Sequence, residues 1–266
     1  MGELRALVTG ASSGIGEAFA RALSARGARL VLVARRADRL ARLSAELGGE
    51  DKALPLPLDL ARPDAADALA SSLDARGIGV SLLVNNAGVG LSGRVLEQPP
   101  EKIRAMLDLD VRALVELTRR FVPPMVARGE GAVINVVSRA AFQPVPFLAV
   151  YAASKAFVLS LTESLATELA GTGVVVQALC PGNVPTEFQE VAGTGNTRFN
   201  RTSATSAAEV VAASLDGLDR GRLIVIPGLK NRISVGAQRF APRSLARHLA
   251  GELFRISSDR ARKDNP

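Results

Sequence analysis

Short apolar runs alternate with longer amphipathic segments along most of this chain. Most of the apolar runs lack alternating polar residues, which is typical of strands that are buried on both faces. Strands are predicted at residues 4–9, 30–34, 53–58, 80–85, 132–137, 174–179 and 223–226, and helices at residues 14–26, 37–47, 63–76, 101–127, 151–170 and 207–217. This alternation predicts a three-layer α/β fold with a doubly wound, mostly parallel seven-stranded sheet, whose ligands bind beyond the carboxyl ends of the strands.

Two segments do not follow the alternation. Residues 187–206 are polar, and we interpret them either as a loop over a binding cleft or as a variable surface loop. Residues 228–266 predict a helical C-terminal extension, in which apolar positions interleave with Arg232, Arg239, Arg243 and Arg247. We therefore divide the chain into a main domain of residues 1–227 and a basic amphipathic extension of the same domain, residues 228–266.

Composition narrows the class of protein. With 47% hydrophobic and 22% charged residues, the 266-residue chain can form a large core. No run approaches the roughly 18 apolar residues of a membrane-spanning helix, and the apolar segment that begins at Leu4 leaves no room for a signal peptide. The lone Cys180 cannot form an internal disulfide. The expected location is the reducing cytoplasm.

The net charge of +7 comes from the carboxyl terminus. Residues 1–218 carry 22 basic and 22 acidic side chains, whereas residues 219–266 carry 11 and 4. We interpret this basic tail first as a solvated surface, with peripheral contact to an anionic membrane through residues 228–266 as the alternative. Nucleic acid is not an expected partner, because no nucleic-acid-binding motif accompanies the charge. No metal site is expected either, and His248 is expected to be a surface residue.

A glycine-rich turn joins the first predicted strand to the first predicted helix. Gly10 allows the tight turn, Gly14 lets the backbone approach a phosphate, and Gly16 lets the helix pack on the strand. Free N–H groups at the start of the helix would hold a pyrophosphate. The turn is therefore predicted to bind a dinucleotide through Gly10, Ser12, Ser13, Gly14, Ile15 and Gly16.

The end of the second strand predicts which dinucleotide binds. An acidic residue at this place holds the ribose 2′-hydroxyl and selects NAD(H). Here the strand ends with Ala34, and Arg35 and Arg36 follow. Because a guanidinium binds a 2′-phosphate that a carboxylate would repel, we predict that NADP(H) is preferred over NAD(H). The alternative is that both arginines are ordinary charges at the start of a helix.

The only tyrosine of the chain predicts the chemistry. Lys155 follows Tyr151 by four residues in a predicted helix, so both side chains share one face. Hydride transfer to a carbonyl needs a proton from a positioned acid, and a nearby ammonium lowers the pKa of a phenol toward neutral pH. Ser138 ends the fifth strand and can donate a hydrogen bond to the substrate oxygen. The alternative is a buried tyrosine beside a solvated lysine.

Together these motifs resemble the classical short-chain dehydrogenase/reductase family over at least residues 3–227. Besides the turn and the set Ser138, Tyr151 and Lys155, the matching motifs are Asn85-Asn86-Ala87-Gly88 and Pro181-Gly182-Asn183-Val184-Pro185-Thr186. The resemblance implies a Rossmann fold and a homodimer or homotetramer. It also implies that Lys155 holds the nicotinamide ribose. The further cofactor contacts that it implies are Asp59 and Leu60 at the adenine, Asn86, Ala87 and Gly88 along the cofactor, and Pro181, Gly182, Val184 and Thr186 at the nicotinamide.

The sequence departs from the family pattern at two places. Asp110 stands where the family has an asparagine of the proton relay, so Asp110 joins the catalytic candidates and an altered pH profile is expected. The extension after Pro227 resembles that of an extended bacterial subgroup with a basic tail. Such a tail covers the cleft, packs on a partner subunit or lies on an anionic membrane, and the sequence does not distinguish these.

The leading functional hypothesis is an NADPH-dependent carbonyl reductase. Its substrate would be a small carbonyl compound or secondary alcohol of moderately apolar character, bound in a cleft lined by Ala140, Ala141, Phe142, Val145 and Phe147. One alternative is a catalytically impaired NADPH-binding regulatory protein. Another is a membrane-peripheral reductase of lipid-like substrates.

Overall fold

Runs of valine, leucine and isoleucine form the strands of a central sheet, because a strand covered by helices on both faces is apolar throughout. The structure, a computed structural model, describes residues 4–195, 197, 204–238, 240 and 242–255. Within these residues the strands are β1 (Arg5–Thr9), β2 (Arg29–Ala34), β3 (Ala53–Pro57), β4 (Leu82–Asn85), β5 (Gly131–Val136), β6 (Val174–Leu179) and β7 (Ile224–Val225). Each predicted strand is present.

The strands form a seven-stranded sheet with the order β3-β2-β1-β4-β5-β6-β7. Every neighbouring pair in this sheet is parallel, so the fold is the predicted Rossmann fold, with a fully rather than mostly parallel sheet. The chain crosses from the β3 edge back to the centre to form β4. The order of the strands therefore reverses between β1 and β4, which is where such a sheet opens a crevice for a ligand.

Helices cover both faces of the sheet and continue beyond β7. They are α1 (Gly14–Ala25), α2 (Ala37–Glu46), α3 (Ala65–Asp74), α4 (Pro100–Leu107), α5 (Leu114–Arg128), α6 (Ala149–Glu168), α7 (Phe188–Val191), α8 (Ala207–Asp219), α9 (Leu229–Gln238) and α10 (Arg243–Phe254). Phe19 and Leu23 of α1 are buried on one face of the sheet, and Leu117 and Met125 of α5 on the other. No helix in the described ranges is long and apolar enough to cross a membrane.

Three predicted segments differ in detail from the structure. The predicted helix 101–127 consists of α4 and α5 joined by a π-helical segment, Asp108–Ala113. The polar segment 187–206 contains the short helix α7, but residues 196 and 198–203 lie outside the described residues. The C-terminal extension forms α9 and α10 as predicted, whereas Arg239 and residues 256–266 lie outside the described part of the chain.

Candidate active site

A cavity of about 340 Å³ opens beyond the carboxyl ends of the central strands. Residues that follow six different strands, β1 to β6, line it, which is the position expected for a ligand in this fold. The structure brings nearly all of the sequence-predicted cofactor residues to its wall, namely Gly10, Ser12, Ser13, Gly14, Ile15, Arg35, Arg36, Asp59, Leu60, Asn86, Ala87, Gly88, Tyr151, Lys155, Pro181, Gly182, Val184 and Thr186. Gly16 lies behind this wall, inside α1.

The glycine turn has the backbone that its sequence predicts. Gly10 and Gly14 have φ angles of 66° and 58°, a region that favours glycine. A Cβ added at Gly16 would overlap the carbonyl oxygen of Gly10, so close packing of α1 on the turn requires glycine here. The Asn86 amide donates to the carbonyl oxygen of Thr9 at 2.8 Å and fixes the turn to the end of β4. The start of α1 therefore faces the cavity with its backbone exposed to a ligand.

The two arginines after β2 have different surroundings. Arg36 donates to the hydroxyl groups of Ser12 and Ser13, at 3.0 and 2.8 Å, and forms an ion pair with Glu187 at 2.6 Å. Arg39 of α2 contacts the other oxygen of the same carboxylate at 2.5 Å. Hydrogen bonds from these two arginines, that from Arg36 first, lower the pKa of Glu187 to about 2. The Arg35 side chain is exposed at the rim of the cavity.

Tyr151 and Lys155 lie side by side in α6, as their spacing predicts. The Lys155 ammonium lies 5.7 Å from the centre of the Tyr151 ring and donates to the carbonyl oxygen of Val136 at 3.2 Å. Ser138 follows β5 and faces the same cavity, where its hydroxyl accepts from the Ala140 N–H at 3.1 Å. The solvated-lysine alternative is therefore wrong, because both Tyr151 and Lys155 are buried.

Asp110 lies directly behind this pair, within the π-helical segment. Its side chain is 1% exposed, and Oδ2 lies 3.5 Å from the Lys155 ammonium. Oδ1 accepts from the Val89 N–H at 2.9 Å. A Cβ added at Gly88 would lie 3.2 Å from the ammonium, so the loop after β4 closes over the ion pair. Asp110 therefore lies behind Lys155 and does not line the cavity.

The pKa of Tyr151 does not fall below its ordinary value, in contrast to the expectation from the sequence. Burial raises this pKa and outweighs the lowering by Lys155 and by a hydrogen bond with Ser138. The negative charge of Asp110 raises it further. Lys155 thus acts on the phenol in the expected direction, but the net direction is set by desolvation, which spacing in the sequence does not reveal.

Apolar side chains form the end of the cavity next to Tyr151. Ala140 and Val145 line it as predicted, whereas Ala141 and Phe142 pack under α6 instead. Phe147 is also outside the lining. Sequence reasoning missed several lining residues, among them Leu148 and Phe254. Glu187 and Phe188 also line the cavity, which agrees with the interpretation of the segment 187–206 as a loop over a binding cleft, although neither residue was named individually. For Glu187 and Phe188 the adjacency to the Thr186 motif was a usable signal, but Phe254 reaches the cavity only through the fold.

Comparisons with known proteins identify the family. The sequence profile of the short chain dehydrogenase family matches residues 5–197. A short chain dehydrogenase of Pseudocercospora fijiensis is 42% identical over 69% of this chain and 60% of its own length. A short-chain dehydrogenase from Sphingobium yanoikuyae in complex with NADPH has 36% identity and a TM-score of 0.78, over 89% of this chain and 94% of the other. One from Burkholderia phymatum in complex with NAD has 28% identity and a TM-score of 0.81, over 92% and 95%. This chain is therefore an oxidoreductase of the classical short-chain dehydrogenase/reductase family.

Proposed function

We propose that this chain is an NADP(H)-dependent carbonyl reductase that interconverts a ketone or aldehyde and its alcohol. In this proposal residues 1–227 bind the dinucleotide and carry the catalytic residues. The proposal rests on one observation: three candidate catalytic side chains line the same cavity. The hydroxyl of Ser138, the phenol of Tyr151 and the buried ammonium of Lys155 meet there, next to the glycine turn.

The glycine turn fits a dinucleotide. Gly14 faces Thr186 so closely that a Cβ at Gly14 would lie 3.0 Å from the threonine methyl group. A side chain at Gly14 would therefore press against the loop after β6, whereas glycine leaves the backbone of the turn open to a pyrophosphate. Asp59 lines the adjoining part of the cavity and would hold the adenine end. When bound, the cofactor supplies the hydride, and the residues of this chain supply position and protons.

Tyr151 would supply the proton. As the hydride adds to the carbonyl carbon, the C=O electron pair moves to oxygen, and this oxygen takes the proton of the phenol. Ser138 would donate a hydrogen bond to the same oxygen and stabilise the charge that develops on it. Lys155 would hold the nicotinamide ribose and stabilise the phenolate that remains, with Asp110 as its counterion.

A Tyr151→Phe variant tests this role. We expect it to bind NADPH as the wild type does and to lose at least about a hundredfold in turnover, because general acid catalysis contributes about this much. NADPH binding is followed by fluorescence and turnover by NADPH absorbance, with a chemically diverse set of carbonyl compounds. Normal turnover in the variant would overturn the mechanism. If the wild type binds NADPH tightly and reduces none of the compounds, the alternative of a regulatory protein gains support.

The preference for NADP(H) rests on residues of this chain, because its solved relatives contain NADPH in one case and NAD in another. Ala34 ends β2 without a carboxylate, and Arg36 is held at the turn by Ser12 and Ser13. A 2′-phosphate would find there a guanidinium and two hydroxyl groups, with Arg35 at the rim. The site thus offers the phosphate a charged partner and no repelling carboxylate on β2.

An Arg36→Ala variant tests this preference. Loss of charge-assisted hydrogen bonds is expected to raise the Kd for NADPH about tenfold to a hundredfold and to change the Kd for NADH much less. Arg42→Ala is the control: it removes a charge from the exposed side of α2, the helix that follows Arg36, and should change neither Kd. If Arg36→Ala weakens both cofactors equally, Arg36 does not read the 2′-phosphate.

A peripheral membrane contact is the second candidate property. On α10, Leu245 and Leu249 are exposed one turn apart and Arg243 and Arg247 are exposed beside them, a combination that suits an anionic lipid surface. Co-sedimentation with phosphatidylserine vesicles should weaken with salt and in the Arg243→Gln/Arg247→Gln double variant. Absence of binding to these vesicles would dismiss the contact.

A cytoplasmic homodimer or homotetramer is the expected assembly. Size-exclusion chromatography with light scattering would test the number of subunits.

A further inference from the structure

The C-terminal extension covers the apolar end of the cavity. Phe254, the last residue of α10, is 8% exposed and lines the same cavity as Ser138 and Tyr151. Its ring belongs to an apolar cluster with Met106, Val145, Leu148, Tyr151 and Ala152. Among the three positions that the sequence left open for the tail, the described part of α10 therefore adopts the one over the cleft.

Close contacts hold this end of α10 in place. Ala250 is buried, and a Cβ added at the next residue, Gly251, would lie only 3.5 Å from the Pro146 ring. After the helix, the Arg255 guanidinium lies 6.0 Å from the centre of the Phe147 ring and pairs with Glu252 at 3.1 Å. The segment that α10 contacts leads directly into α6. The helix is thus fixed to the part of the chain that positions Tyr151.

An aromatic side chain also approaches the phenol from the start of α7. The ring centres of Phe188 and Tyr151 are 5.4 Å apart, with an angle of 49° between the planes. The reactive hydroxyl therefore opens into a space with aromatic groups of two distant segments in its wall. Arg139, which follows Ser138, also lines the cavity. Its guanidinium donates a hydrogen bond to the side chain of Asn231 in α9 at 3.1 Å. The part of the cavity next to Tyr151 is therefore an apolar subsite.

We propose that Phe254 is a specificity residue of this enzyme. With Phe188 and Leu148 it forms a subsite for a bulky apolar substituent, aromatic or alicyclic, on the carbonyl carbon of the substrate. This inference rests on the proposed reductase function and adds the substrate class to it. In an apolar pocket, loss of contact area lowers discrimination by about tenfold to a hundredfold, so the contribution of one phenyl group is measurable.

The test compares two ketones that share the reacting group and differ in the substituent. Reduction of 2-acetylnaphthalene and of 2-butanone is followed by NADPH absorbance in the full-length wild type and in Phe254→Ala. We expect kcat/KM for the naphthyl ketone to fall about tenfold to a hundredfold and kcat/KM for butanone to change less than about threefold. Leu249→Ala is the matched control, because Leu249 is on the same helix and 55% exposed. It should leave both values unchanged.

Two further measurements keep the outcome unambiguous. Phe254→Leu preserves much of the packing and should lower the ratio of the two kcat/KM values in the same direction by a smaller factor, even if Phe254→Ala does not fold. The Kd for NADPH should be unchanged in both variants. An unchanged ratio in a folded Phe254 variant, or an equal loss for both ketones, would overturn the inference. If the wild type reduces neither these nor other carbonyl compounds, the proposed function itself fails.

Discussion

Replacement of Asp110 by asparagine separates charge from shape at the centre of the site. The Asp110 carboxylate is buried and lies 3.5 Å from the Lys155 ammonium. Asparagine has almost the same size, and its amide oxygen can still accept from the Val89 N–H. The substitution therefore removes one negative charge and little else. Since this charge is one of the causes that raise the pKa of Tyr151, its removal should lower that pKa.

The distances in the site set the size of this effect. The carboxylate lies 3.5 Å from the ammonium, which lies 5.7 Å from the centre of the phenol ring. With the phenol oxygen about 3 Å from the ring centre, the two charges are at most about 12 Å apart, and at an effective dielectric constant of about 20 this distance gives an interaction of at least about 1.4 kcal/mol. This energy corresponds to a change of about 1 in the pKa of Tyr151.

The pH dependence of alcohol oxidation measures the shift. In the proposed mechanism oxidation needs the phenolate of Tyr151 as the base, so kcat/KM should rise with pH as the phenol ionises. A lower pKa moves this rise to lower pH, and we expect a displacement of about one pH unit in Asp110→Asn. Asp108→Asn is the control, because Asp108 belongs to the same π-helical segment but pairs with Arg112 at 2.9 Å. Its profile should match the wild type.

Two results would refute the reasoning about Asp110. A rise at unchanged pH would show that the carboxylate carries no charge that Tyr151 senses. A rise at higher pH would show that Lys155 had lost its position or its charge together with its counterion. The Kd for NADPH shows whether Lys155 has lost its position, because a displaced Lys155 would no longer hold the nicotinamide ribose as proposed.

Other residues give further predictions. Hydrogen bonds from Arg36 and Arg39 lower the pKa of Glu187 to about 2, so it stays ionised at neutral pH and would compete for Arg36 with the 2′-phosphate of the proposed cofactor; Glu187→Gln should therefore lower the Kd for NADPH and leave that for NADH unchanged in fluorescence titrations. Gly16→Ala forces a Cβ against the Gly10 carbonyl and should cost about 1–3 kcal/mol, seen as a lower Tm, whereas Gly79→Ala, which has open space, should not. Burial raises the pKa of the Cys180 thiol to about 12, so it should react with a thiol reagent only after unfolding; rapid labelling of the native protein would contradict the buried position.

Hydrophobic pattern predicts the elements of this fold but not their local irregularities. Strands such as β6 are mostly apolar because helices cover both faces of the sheet, and β6 was predicted at its observed bounds, Val174–Leu179. The helix predicted at residues 101–127 contains the π-helical segment Asp108–Ala113, which the 3.6-residue period does not indicate. Asp110, whose carboxylate lies 3.5 Å from the Lys155 ammonium, belongs to this irregular segment.

Local spacing likewise predicts only part of the site. Lys155 lies four positions after Tyr151, which is about one helical turn, so the juxtaposition of the two side chains follows from the sequence. The contacts of Glu187 with Arg36 and of Phe254 with Tyr151 join segments about 150 and 100 residues apart, and only the folded chain brings them together. The direction of the pKa shift of Tyr151 depends on burial, which is also a property of the fold.

Asp110 has two opposing effects on the pKa of Tyr151, and one of them acts through Lys155. Burial lowers the pKa of this ammonium, yet Asp110 and Tyr151 together raise it above its ordinary value of 10.5. Asp110 thus raises the pKa of the phenol directly, and at the same time sustains the lysine charge that lowers it. In Asp110→Asn the lysine keeps the raising effect of Tyr151 and its hydrogen bond to the carbonyl oxygen of Val136, so we expect it to remain charged. The direct effect on the phenol should therefore dominate, which is why we expect the oxidation profile of Asp110→Asn to move to lower pH.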